Sequence, residues 1–136
     1  MARRGQEPLW LDRVVVDSVH LDLLRSHGGT PGVRDEHALE SALARPQQRW
    51  AYGRARDLST LAAAYGFGLA RNHPYRDGNK RIAFMAMAIF LGLNGYEIEA
   101  DEGEVVRVML NLAAGRISEV TLAKWVRSHL IPYQGD

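Results

Sequence analysis

A chain of 136 residues, 46% of them hydrophobic, is sized for one domain and can bury a core without cross-links or metals. It has no cysteine, which excludes a disulfide framework and any thiolate metal site. A formal net charge of +1 argues against nonspecific nucleic-acid binding, and no segment approaches the roughly 18 apolar residues of a membrane span.

The basic opening Met1-Ala2-Arg3-Arg4 starts like a leader, but Asp12, Arg13 and Asp17 interrupt the apolar run that a signal peptide needs. A soluble, cytoplasmic protein is expected. From Leu11 to Leu24, apolar residues at Leu11, Val14, Val15, Val19, Leu23 and Leu24 predict a helical stripe. Val14-Val15-Val16 favours strand on propensity, but the length of the segment and its polar face decide for helix. Gly28-Gly29-Thr30-Pro31-Gly32 stops it. Asp35 is placed to cap a short helix over Glu36 to Ala44, with Pro46 ending it. Gln47 to Asp57 carries Trp50, Tyr52 and Gly53 among arginines and reads as a loop or small hairpin. Asp57 or Ser59 can cap a helix from about Thr60 to Arg71, and Pro74 disfavours helix at His73.

The next segment, Lys80 to Leu93, is apolar nearly all round (Ile82, Phe84, Met85, Met87, Ile89, Phe90, Leu91), which predicts a buried central helix. Met85 and Met87 read as core packing. Asn94-Gly95 closes the segment with an αL cap. Two amphipathic helices follow, near Asp101 to Ala114 and Ser118 to Leu130. The pattern is therefore all-α: a compact bundle of about six helices around a buried central helix, with a small loop or hairpin flap. No linker or internal repeat divides it.

The chemistry is concentrated in His73-Pro74-Tyr75-Arg76-Asp77-Gly78-Asn79-Lys80-Arg81. Asn79 stands where the N-cap of the central helix is expected, leaving the amides of Lys80, Arg81 and Ile82 unpaired beside the preceding loop. Such a helix start binds anions readily. Lys80 and Arg81 sit at the positive end of the helix dipole, where each cation is disfavoured by about 0.3–1 kcal/mol. An anionic ligand relieves that conflict. Of the 17 basic residues 15 are arginines, so Lys80 is one of only two lysines. Gly78 permits close backbone approach, as phosphate loops require. Asp77 can hold one Mg²⁺, which takes one or two carboxylates plus phosphate oxygens. His73 supplies an imidazole, which can accept a hydroxyl proton at neutral pH. Each piece has a plainer reading: a loop histidine, an Asp-Gly-Asn turn, a Lys-Arg surface pair. Their coincidence at the mouth of a buried helix points to phosphoryl or nucleotidyl transfer.

The nine residues resemble the signature of the Fic superfamily, in its Doc ("death on curing") branch. Fic adenylyltransferases carry His-Pro-Phe-x-Asp/Glu-Gly-Asn-Gly-Arg-x-x-Arg. Here Tyr75 replaces the phenylalanine, Lys80 the last glycine, and Phe84 falls where the second arginine would be. The last two changes are those of the Doc branch. His27 to Asp35, Leu39 to Pro46, Asn94-Gly95-Tyr96 and Ala113-Ala114-Gly115 are also similar in order and spacing. The resemblance implies a single Fic/Doc domain over residues 1–136, with its core at about 11–130.

By position, the resemblance implies His73 as the base that deprotonates a target hydroxyl and Asp77 as the Mg²⁺ ligand. Gly78, Asn79, Lys80 and Arg81 then bind the phosphates of ATP. Lacking the second arginine, Doc-type proteins hold ATP reversed and transfer its γ-phosphate, which makes them protein kinases. The implied target is a threonine of elongation factor Tu, whose phosphorylation halts translation. Phe84 cannot bind a phosphate, and Lys80 offers a point charge rather than a fork. Gln47 to Gly53 is either the flap that docks the target or a site of plain core aromatics. Arg34 and Asp35 either brace the loop or only cap a helix. The built-in inhibitory pattern Ser/Thr-x-x-x-Glu-Gly/Asn is missing, since Ile98 stands four residues before Glu102-Gly103. A Phd-type antitoxin, whose disordered tail folds onto the toxin, is the implied partner. An adenylyltransferase and an inactive antitoxin-binding module are the alternatives; direct nucleic-acid or membrane binding is not expected.

Overall fold

The computed structural model describes residues 6–135. The basic opening Met1-Ala2-Arg3-Arg4 lies outside them. Short polar side chains start most of the helices by accepting an otherwise unpaired backbone N–H of the first turn. Asp12 does so for α1 (Arg13–His27), Asp35 for α2 (Glu36–Tyr52), Asp57 for α3 (Leu58–Asn72) and Ser118 for α6 (Glu119–Ser128). The two others, α4 (Asn79–Leu93) and α5 (Glu102–Ala113), have no such side-chain cap. Two three-residue strands, β1 (Tyr96–Ile98) and β2 (Leu130–Pro132), pair antiparallel with Glu97 opposite Ile131. The expected six-helix all-α bundle is present, with this small sheet as an addition. None of the described helices is long and apolar enough to cross a membrane.

The hub is α3, which packs against α2, α4, α5 and α6. Small residues let neighbours approach it from every side: Ala62, Ala63, Ala64, Gly66 and Gly68 are all buried. A Cβ on Gly68 would lie 3.1 Å from both Cα and Cβ of Ala42 on α2, and one on Gly66 would meet Met87 Sδ of α4 at 2.5 Å. The expectation of α4 as the central helix is thus corrected. It buries Ile82, Ala83, Ala86, Met87, Phe90 and Leu91 on one side, while Phe84, Met85 and Ile89 are only half-buried. An all-apolar sequence marks a helix with little water around it, but small side chains decide which helix lies innermost.

Two boundaries also differ from expectation. Pro46 does not end α2, which runs on to Tyr52. Proline removes the N–H that would bond the Ala42 carbonyl, a loss of about 3 kcal/mol in an ordinary helix interior. Here Leu39, Ala42, Leu43 and Pro46 form one buried face, and packing against α3 holds the helix past the break. The expected loop or hairpin over Gln47–Asp57 shrinks to Gly53–Asp57, so a strand-pairing flap over Gln47–Gly53 is not available. Trp50 is half-buried under the Arg56 guanidinium, 4.0 Å from its ring centre, and Tyr52 is exposed rather than core. On α1 the buried face is Val16, His20 and Leu24, whereas Val14 and Val15 point outward.

Long-range polar bonds close the bundle. The buried Asn94 side chain accepts from Leu9 N (2.9 Å) and donates to Leu9 O (3.0 Å), and Tyr65 Oη accepts from Leu11 N (3.0 Å). Burial pushes the Tyr65 hydroxyl up to about 12, so it stays protonated. Glu119, near the start of α6, accepts from Arg45 (2.7 and 3.0 Å) and Arg49 (3.1 and 3.2 Å) of α2. Burial alone would raise its pKa above the ordinary 4.5, but the two guanidiniums outweigh it and hold the carboxyl below that value. A depressed folded-state pKa means the stabilisation is complete above pH 4.5 and is lost as pH falls through the lower folded value. Glu119→Gln should therefore cost about 1–3 kcal/mol at pH 7. In urea unfolding series, its gap from wild type should close as the pH drops through the carboxylate range; a gap independent of pH would refute the ion-pair account.

Candidate functional site

The turn from α3 into α4 is built by backbone geometry first. α3 stops at His73, whose left-handed conformation (φ 48, ψ 55) makes it the only positive-φ non-glycine residue among those described. Such a conformation costs on the order of 1 kcal/mol or more and needs surrounding bonds to hold it. Arg34 supplies two: its Nε donates to His73 O (2.8 Å) and its Nη2 to Asn72 O (2.9 Å), satisfying carbonyls left free at the helix end. The Arg34 and Asp35 amides both donate to Pro74 O, at 2.8 and 3.1 Å. Arg76 N donates to Gly32 O at 3.0 Å, and Val33 and Tyr75 form an isolated antiparallel bridge. Arg34 and Asp35 therefore do both things expected of them: the first braces the loop, and the second also caps α2 through Ala38 N (3.0 Å).

Within the loop, Tyr75 is buried while its polar neighbours are exposed. The Asn79 side chain clamps its backbone, accepting from Tyr75 N (2.9 Å) and donating to Tyr75 O (2.9 Å). The Tyr75 hydroxyl donates to Asp17 Oδ1 of α1 at 2.6 Å. Burial, and then the Asp17 carboxylate, push that hydroxyl's pKa far above the usual tyrosine range, so it remains a donor. Asp17 in turn accepts from Arg13 Nε (2.9 Å), and Arg13 also reaches Glu36 at 2.6 Å and Glu40.

The N-cap of α4 is Gly78 in the left-handed region (φ 77, ψ 17), not Asn79, and no side chain caps the helix. The first amide bonded back is Ile82 N, to Gly78 O at 3.0 Å. The amides of Asn79, Lys80 and Arg81 are the ones without a helical acceptor. The Asn79 amide group is engaged with Tyr75, so only its backbone N–H belongs to this set. No acidic residue stands in the first turn of α4, and the exposed Lys80 and Arg81 side chains form no ion pair among the described residues. Positive charge and free N–H groups thus meet at one helix start, open to an anion.

Asp77 faces this start with its Oδ2 accepting from Thr30 N at 2.6 Å. Its other oxygen has no donor among the described residues, and His73's ring makes no hydrogen bond there either. Among the described residues no group of three or more His, Asp or Glu side chains is placed to hold a metal ion. A single exposed carboxylate beside free amides nevertheless suits Mg²⁺, which completes its shell with phosphate and water oxygens. A separate hollow of about 300 Å³ lies away from the loop, by Arg49, Arg54, Thr60, Lys124 and Arg127. Glu119 and Asp57 neutralise two of those cations.

The structure places residues His73 to Arg81 in one turn between α3 and α4, as the sequence order requires. His20, Asp17 and the Thr30 amide, which hold the loop from outside, were not legible in the sequence. The similar spacing over His27 to Asp35 was the available signal for the second strand of the brace. For His20 the signal was its place one helical turn from Val16 and from Leu24.

Residues 10–91 of the chain match the model of the Fic/DOC family. That is more than half of the chain, and the protein belongs to this family. A relative, Toxin Doc of Mycolicibacterium smegmatis (strain ATCC 700084 / mc(2)155), is 46% identical over 78 residues. The alignment covers 54% of this chain and 58% of that protein, so the chain spans well under two thirds of the relative's length.

Removing the outer brace should loosen the turn. Arg34→Ala is expected to lower stability by about 1–2 kcal/mol and to speed hydrogen exchange at the Arg76 amide several-fold. Arg34→Lys, with a single nitrogen where two nitrogens make the bonds, should fall between. Unchanged exchange at Arg76 in the alanine variant would show that the brace does not hold the loop.

Proposed function

We propose that this chain is the toxin of a toxin–antitoxin pair. We further propose that its loop transfers the γ-phosphate of ATP to a serine or threonine hydroxyl of a translation factor. The observation that carries the reading is the uncapped start of α4, with free amides, Lys80 and Arg81 set against Asp77 and His73. The match to Toxin Doc supports the toxin role, and elongation factor Tu is the target implied by the Doc-like motif.

In this reading His73 accepts the proton of the attacking hydroxyl. The oxygen forms a bond to the γ-phosphorus, the opposite bond from that phosphorus to the β,γ-bridging oxygen breaks, and ADP leaves with the bridging oxygen. The amides of Asn79 to Arg81 and the two cations hold the phosphates and offset their charge. Asp77 would hold Mg²⁺, which supplies further charge neutralisation when bound. Phe84 packs against the core, so position 84, where a second arginine would stand, offers no cation to a triphosphate. That favours transfer of the terminal phosphate over transfer of AMP.

Restraint is assigned to a Phd-type antitoxin. Glu102-Gly103, which lacks a serine or threonine four residues before it, opens α5, and the residue at that spacing is Ile98 at the end of β1.

Incubation with elongation factor Tu and ATP labelled at either the γ or the α position tests the reaction. Label from the γ position alone is expected, with His73→Ala reducing transfer by about 10²–10⁴-fold, the usual worth of a general base. Label from the α position would replace the kinase with an adenylyltransferase. No label from either, across candidate targets, would leave an antitoxin-binding module.

A further inference from the structure

Helix α1 buries one polar side chain, and that side chain reaches the loop. His20 is 2% exposed, and its ring lies on that of Tyr75 with centroids 3.7 Å apart and planes 16° apart. Its Nε2 is 2.7 Å from the backbone oxygen of Asp77. A carbonyl only accepts, so Nε2 carries a hydrogen and donates. The peptide unit is planar and trans, so holding the Asp77 C=O against α1 turns the Gly78 N–H the opposite way, toward the open side of the loop. Gly78 is left-handed and the residues after it are right-handed helical. That sequence of conformations brings successive N–H groups around one concavity, an anion nest.

The fit is close. A Cβ on Gly78 would lie 3.4 Å from His20 Nε2 and 3.5 Å from Leu24 Cδ2, so α1 forms a floor directly under the loop. From the other side, Thr30 N holds the Asp77 carboxylate at 2.6 Å, and a Cβ on Gly29 would lie 3.1 Å from Asp77 Cβ. Asp77 is thereby fixed at its carbonyl and at its carboxylate by two different segments.

We propose that His20 is a positioning residue for the phosphate site: by donating to Asp77 O it aims the Asp77 carboxylate and the Gly78 N–H at the same bound Mg²⁺–nucleotide. This rests on the reading of the loop as a Mg²⁺–ATP site. His20 does not itself touch the nucleotide.

The test compares His20→Gln with His20→Met. Both side chains are linear and of similar size, and both lose the stacking on Tyr75, but only glutamine can donate. Binding of a non-hydrolysable ATP analogue is measured by calorimetry with and without Mg²⁺, alongside the thermal midpoint of each variant. Glutamine should keep the Mg²⁺-dependent gain in affinity within about threefold of wild type. Methionine should lose about tenfold of it, the usual scale for an unpaired buried acceptor, at a similar midpoint. His20→Phe, which keeps a ring on Tyr75 without the donor, should behave like methionine, and it serves if the methionine variant does not fold. Equal binding by the glutamine and methionine variants, or wild-type binding by the phenylalanine variant, would overturn the proposal and leave the site reading intact. A wild-type protein that binds no nucleotide with Mg²⁺ would overturn the site reading and the proposal together.

Discussion

Tyr75 is a buried aromatic in the middle of a polar, exposed turn, and it is held from three sides: by α4, by the segment of Val33 and by α1. Its backbone is clamped by Asn79 at the start of α4. Its edge pairs with Val33, its ring lies on His20, and its hydroxyl bonds Asp17. Burying the ring removes water from under the loop, and the surrounding bonds leave no polar atom of the residue to compensate for. His73 on one side and Asp77 on the other inherit their positions from this anchor. The tyrosine, where the Fic pattern has phenylalanine, also has a reason here. Its extra oxygen has a carboxylate partner, itself held by Arg13.

The scaffold and the reactive groups divide the labour between them. Main-chain bonds, small-residue packing on α3 and the Arg34 brace fix the turn, while Lys80, Arg81 and one oxygen of Asp77 are left without partners among the described residues. A helix start that carries two cations and no cap is unfavourable by itself. It persists because the buried side of α4 is bolted to α3 and to α1. Local disagreement between charge and dipole, inside a fold whose other parts agree, is of the kind that functional sites carry.

Helix content was readable from periodicity and capping residues, with Asp35 as one cap and Asp57 as one of two candidates for another. The failures have physical causes. Pro46 was read by its local effect, but a buried face on both sides of it overrides a single missing bond. The stripe on α1 was read from apolar residues, which discards histidine, so Val14 and Val15 were put on the face that His20 occupies. The motif disclosed which residues stand together. It did not disclose that Asn79 spends its side chain on Tyr75, because that depends on Gly78 taking the cap position and moving Asn79 one place into the helix.

The contacts between Gly32–Asp35 and the loop have a bearing on how this region can change. Apart from the Arg34 guanidinium, they run between main-chain atoms: two amides onto Pro74 O and Arg76 N onto Gly32 O. Main-chain bonds do not depend on side-chain identity but do depend on alignment. Val33 can thus be replaced without touching these bonds, whereas Gly32 at φ 114 cannot, and the segment is intolerant of altered length, since losing or gaining one residue before Arg34 would offset every pairing at once. Divergence in this segment is bound first of all to keep its number of residues.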